Sequence, residues 1–192
     1  MTEQRIPAIV LRTVPYDQMV AALFKRMGSR EASLLHAAIG ISSETAELLV
    51  ADSIENIVEE LGDMEFYIEA GYQVLGGRRS ALADELVLEA ADPAHHQVLG
   101  TVTIAMSTTA GRLLDLAKKG WVYNKPLDDN AKRAVRYELM RLECMMEQLL
   151  DMVGVRRPDV LRTNQTKLGK RYPQGVYTDQ AAQVRADKAD GE

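Results

Sequence analysis

The chain has 192 residues, 46% of them hydrophobic, which is enough for one sizeable core; aromatics are only 5%, and abundant Ala, Leu, Met and Glu favour helices. A net charge of −5 and a pI near 5.3 argue against a general nucleic-acid binder or a protein that sits on anionic membranes. A lone Cys144 excludes an internal disulfide, no apolar run approaches roughly 18 residues, and MTEQRIPAIVLRTVP lacks a signal-peptide core with a cleavage site, so a cytoplasmic protein without a membrane span is expected.

Residues 1–15 carry Pro7 and Pro15 and read as an irregular arm. From Tyr16 the pattern turns helical, with Met19, Val20, Leu23, Phe24 and Met27 at helical spacing until Gly28-Ser29 breaks it. A second helix from about Arg30 to Asp52 has an apolar face of Leu34, Leu35, Ala38, Ile41, Leu48 and Leu49. Ser53 is the expected N-cap of a third helix running through Leu75, which Gly76-Gly77 stops. A short helix from Ser80 to Ala91 would end at Asp92-Pro93.

After Pro93 the plan recurs. ETAELL (44–49) can be laid over TAGRLL (109–114), and ELGDME (60–65) over ELMRLE (138–143). Thr109, Arg112 and Arg141 then stand where the first copy has Glu44, Glu47 and Asp63. Two helical hairpins, about 30–76 and 98–154, would form an all-α, pseudo-symmetric four-helix bundle, the second hairpin lacking most of the acids. A further helix ending near Arg171 and a Pro/Gly turn complete one domain over 16–182, with segment 155–182 after the hairpins and a mobile tail over 183–192.

The stretch GISSETAELLVADSIENIVEELGD (40–63) places Glu44 and Glu47 three apart, and Glu60 and Asp63 three apart. That spacing stacks each pair on one helical face, and antiparallel helices would bring the two pairs together. Four carboxylates in apolar surroundings repel one another unless a cation lies between them. Oxygen donors with no His/Cys set suit Mg²⁺ or Mn²⁺ rather than zinc.

LLHAAIGISSETAEL followed by NIVEELGD resembles the MazG-like, all-α nucleoside triphosphate pyrophosphohydrolases, whose signature is ExxE followed by ExxD on adjacent helices. TNQTKLGKRYPQGVYTDQAA (163–182) resembles the segment after the bundle in many such proteins, phage-encoded ones included. KKGWVYNKPLD (118–128) resembles the lysine-bearing loop that joins the two acidic helices there, although here it lies in the second copy. The resemblance implies that Glu44, Glu47, Glu60 and Asp63 hold Mg²⁺, with Mn²⁺ as a substitute. It further implies hydrolysis of a (d)NTP between the α- and β-phosphates, giving a monophosphate and pyrophosphate.

A triphosphate also needs cations: Lys118, Lys119, Lys125, Lys167, Lys170 and Arg171 are available, and Lys125, Lys167 and Arg171 match the family pattern. Asn164 would read a base edge or ribose hydroxyl, or else cap a helix. Glu59 is a base toward water or a surface acid; His36 stands near phosphate or packs in the core; Trp121 and Tyr123 stack a base or simply pack the loop. His95-His96 are not read as ligands, and Met140, Met145, Met146 and Met152 read as core filling. No P-loop, dinucleotide-binding, paired-CxxC or GxSxG motif occurs. The rival expectation is a non-catalytic nucleotide-sensing or scaffold module of the same fold, in which Arg112 and Arg141 would close the acidic site by salt bridges. An exposed hairpin face would favour a homodimer.

Overall fold

The computed structural model describes residues 14–77 and 99–188, and within them every regular element is a helix. These are α1 (Tyr16–Leu23), α2 (Arg30–Val50), α3 (Ile54–Val74), α4 (Leu99–Val122), α5 (Asp129–Val153), α6 (Arg157–Arg171) and α7 (Asp179–Val184). The expected arm up to residue 13, the Ser80–Ala91 helix, His95-His96 and the last four residues lie outside the described residues.

Local chemistry sets most helix ends. Ser29, Ser53 and Asp128 each cap a helix, their side-chain oxygens accepting from the backbone N–H of Ala32, Asn56 and Ala131 at 3.1, 3.1 and 2.8 Å. Gly154 ends α5 in the left-handed region at φ 70°. After α3, Gly76 and Gly77 take φ of 91° and 94°, and buried Arg136 on α5 donates to the carbonyls of Leu75 and Gly77. A cationic side chain thus closes the negative end of α3. α1 is shorter than its periodicity suggested: Phe24 already turns extended, and its ring packs on His36 instead of prolonging the helix.

The four long helices share one core that includes Ile41, Leu61, Met64, Ile68, Met106, Leu113, Leu139 and Met146. α2 packs most extensively against α3 and α4, and α4 against α5. At Gly40 the Tyr67 ring of α3 lies flat against the α2 backbone: a Cβ there would stand 2.5 Å from it. With Gly40 opposite Tyr67 in an antiparallel pair, Glu44 stands level with Asp63 and Glu47 level with Glu60. α6 lies across α3, tied by a buried network: Arg157 grips Glu65 bidentately at 2.6 and 2.8 Å and reaches Glu143 on α5 at 3.1 Å. Tyr72 donates to that same Glu143 at 2.7 Å. No described helix is long and apolar enough to cross a membrane.

Candidate metal and phosphate site

Glu44, Glu47 and Glu60 come together: each offers a carboxylate oxygen within 4.8 Å of the others. The Gly40–Tyr67 register places them, because α2 carries two of the acids one turn apart and α3 presents the third opposite. Glu47 is exposed, while Glu44 and Glu60 are half-buried. Burial pushes the Glu44 carboxyl up to about 8, and repulsion from Asp63, Glu47 and Glu60 adds to it, as does its hydrogen bond to Glu60. Burial, then Glu47 and Asp63, push Glu60 up as well. Without a cation, such a cluster relieves its repulsion by holding a proton. Three hard oxygens at this separation fit a divalent cation such as Mg²⁺ or Mn²⁺, with water free to complete the shell.

Asp63 stands apart from that triad, although the ExxD spacing grouped it with the other three. Each of its oxygens has a protein partner, Lys167 Nζ at 2.5 Å from one and Asn164 Nδ2 donating to the other at 2.8 Å, yet its charge still raises Glu44 and Glu60. Lys167 also reaches Glu59 at 2.7 Å. Burial would lower the Lys167 ammonium, but Asp63 and Glu59 outweigh it and hold the group protonated. Burial likewise opposes ionisation of Glu59, yet the Lys167 hydrogen bond and charge, with Lys188, hold that carboxyl below its usual range. Glu59 is therefore half of an ion pair in this state.

Asn164 is buried, and its amide is spent between protein groups: Oδ1 accepts from Tyr16 at 2.8 Å while Nδ2 holds Asp63. It positions Asp63 and does not itself line the acidic cavity. Arg171 is likewise engaged, gripping Asp187 through Nε at 2.7 Å and Nη2 at 2.6 Å. Lys167 and Arg171 do line the same cavity of about 310 Å³ as the acids. Its apolar wall is Phe24, Phe66, Tyr67, Tyr172 and Tyr177, and His36 lines it too, stacked on Phe24 at 4.8 Å with Nδ1 held by the Lys25 carbonyl at 2.9 Å.

Lys125 is elsewhere. It lines a separate cavity of about 270 Å³ between α2, α4 and α5, with Glu31, Leu34 and Leu127. The loop after α4 sits at the far end of the second hairpin, and Lys118 and Lys119 are tied to Asp115 at 2.9 and 2.6 Å. Trp121 and Tyr123 are exposed and outside the acidic cavity. Arg112 and Arg141 make no ion pair with the first hairpin's acids among the described residues; their charge acts instead on Glu138, whose carboxyl burial raises.

Sequence reasoning missed the C-terminal contribution. Residues 179–184 form α7, and beyond it Arg185 and Lys188 line the acidic cavity while Asp187 pairs with Arg171, where a mobile tail over 183–192 was expected. Only the alternation of Arg185, Asp187 and Lys188 in this segment could have hinted at this. No family model matches the chain, and neither a curated protein nor a solved structure matches it.

Proposed function

We propose that this protein is a Mg²⁺-dependent nucleoside triphosphate pyrophosphohydrolase. The observation that carries the reading is one cavity with three jobs divided among its walls: a carboxylate triad whose oxygens lie within 4.8 Å of one another, cations beside it, and an aromatic flank. A volume of about 310 Å³ is within the range of small-molecule sites, which run from ~300 Å³ upward. When bound, Mg²⁺ would neutralise phosphate charge and acidify a water. Glu44, Glu47 and Glu60 would hold it, and Asp63, fixed by Asn164 and Lys167, would set the field around the triad. Lys167 and Arg171 supply positive charge toward a leaving pyrophosphate. The aromatic flank offers faces for a base. The same proposal takes the four long helices as one bundle of two hairpins, the second keeping the apolar pattern but, of the four acids, only Glu138 in the place of Glu60.

One observation favours a second reading. Lys167 bridges Glu59 and Asp63, so part of the acidic set is closed by an ion pair, as a non-catalytic sensing module would have it. Calorimetry with Mn²⁺ alone, followed by pyrophosphate release from a panel of nucleoside triphosphates, separates the two. The enzyme reading expects metal binding and turnover in the wild type and loss of both in Glu47→Gln, which removes one charge at nearly constant shape. Metal binding or nucleotide binding without turnover on any triphosphate would favour the sensor.

A further inference from the structure

The acidic cavity holds more positive side chains than it has spare positive charge. Lys25 is paired with Asp179 at 2.5 Å, Lys167 with Glu59 and Asp63, and Arg171 with Asp187. Two cavity cations, Arg185 and Lys188, make no ion pair among the described residues. Both come from the C-terminal segment, which sequence reasoning treated as a tail.

Apolar packing holds the segment only lightly, through Ala181, half-buried against the core. No residue of α7 is fully buried. What else holds it is polar: the Lys25–Asp179 pair, the backbone N–H of Tyr177 donating to the Ala22 carbonyl at 3.4 Å, and the Arg171–Asp187 fork. Arg185 ends the helix at φ 48° and ψ 52°, a conformation that side-chain-bearing residues seldom adopt. The left-handed residue reverses the chain. The Lys188 N–H then donates to the Arg185 carbonyl at 2.9 Å, closing a turn that delivers Asp187 to Arg171 and sets Arg185 and Lys188 in the cavity wall. A segment with little apolar burial, held by the Arg171–Asp187 fork and the Lys25–Asp179 pair and carrying two cations outside any described ion pair to a carboxylate triad, is built to meet a ligand.

We infer that residues 179–188 form a cationic strap that brings Arg185 and Lys188 to the phosphate oxyanions of a ligand held over Glu44, Glu47 and Glu60. This rests on the metal-site reading above and deepens it. The ligand chemistry is a linear chain of phosphates, whether free or attached to a nucleoside. In this arrangement Asp187 anchors the strap through Arg171, and the strap's own cations, rather than those of the second hairpin's lysine loop, engage the phosphates.

The test uses the full chain with excess Mg²⁺ and two probes, inorganic tripolyphosphate and a non-hydrolysable nucleoside triphosphate, titrated by calorimetry. The variant Arg185→Gly/Lys188→Ala removes both charges, and glycine accepts the left-handed backbone that alanine would strain. Its affinity for either probe should fall about tenfold or more, since hydrogen bonds to charged groups are the strong ones. Arg162→Ala/Lys170→Ala, cations of the neighbouring groove, should leave affinity unchanged. A loss for the nucleotide alone would place the strap against the nucleoside and overturn the phosphate assignment. Trypsin supplies a readout independent of affinity: it cuts after Arg185 and Lys188, and Mg²⁺-tripolyphosphate should slow those cuts. Unchanged affinity in a double variant that still binds Mn²⁺, or cleavage that the ligand leaves unchanged or hastens, overturns the strap while leaving the metal site standing. Failure of the wild type to bind Mn²⁺ and tripolyphosphate at all overturns the site reading, and the strap with it.

Discussion

Glu44 concentrates the electrostatic tension of the cavity. Its carboxyl is pushed from an ordinary 4.5 up to about 8, chiefly by burial and then by Asp63, Glu47 and Glu60. The folded protein therefore holds a proton there that the unfolded chain has released. That contribution to stability is complete below about pH 4.5 and is lost as pH rises through about 8. Metal-free protein should thus show a melting temperature that falls across this window, and Glu44→Gln should flatten the fall. Glu59 and Asp187, whose carboxyls are held low by their cationic partners, lose their pairing only at more acidic pH, while Glu60 and Glu138, also pushed up, act in the same sense as Glu44. A melting temperature that rises from pH 5 to 8 in metal-free wild type would contradict the assignment. Lys125 makes the opposite case. Being exposed and in another cavity, Lys125→Ala should leave kcat/KM on the best triphosphate unchanged; a tenfold loss would mean that the second hairpin's loop reaches the site after all.

Among the elements, α6 decides whether the acids on α3 are free or held. Arg157 at its start clamps Glu65, whose side chain is only 3% exposed, and Asn164 and Lys167 farther along hold Asp63. Gly62 lets α6 approach this closely: a Cβ at that position would meet the Asn164 side chain at 3.0 Å. Removing one partner of a buried charge pair costs about 3–5 kcal/mol, because the other charge is left without compensation. Arg157→Met should therefore lower the free energy of unfolding by about that amount. Urea denaturation would show it as a lower midpoint at unchanged slope. A loss below about 1 kcal/mol, the level typical of surface pairs, would mean that the network is solvated and not structural.

Across the whole molecule, legibility follows sequence distance. The helices declared themselves through local signals: serine caps at 29 and 53, paired glycines at 76 and 77, and apolar residues at helical spacing. Glu44, Glu47 and Glu60 were legible because a short connection makes α2 and α3 antiparallel neighbours, and spacing alone then puts one acid opposite another. The partners of Asp63 were not, since Lys167 lies 104 positions away and no local pattern says that α6 folds back over α3. The lysine loop misled for the same reason: a local resemblance carried no information about which end of the second hairpin it would occupy. Segment 179–188 was hidden because α7, with only Ala181 half-buried on the core, has too little apolar face to announce it. The central claim is that this cavity hydrolyses the α–β anhydride of a nucleoside triphosphate with a divalent cation. Incubating the protein with triphosphates in ¹⁸O-water, with and without Mg²⁺, and weighing the products by mass spectrometry tests it directly. Equal amounts of nucleoside monophosphate and pyrophosphate are expected, with one ¹⁸O atom in one of the two and no turnover without metal; orthophosphate as the product, or metal-independent turnover, would overturn the proposed reaction.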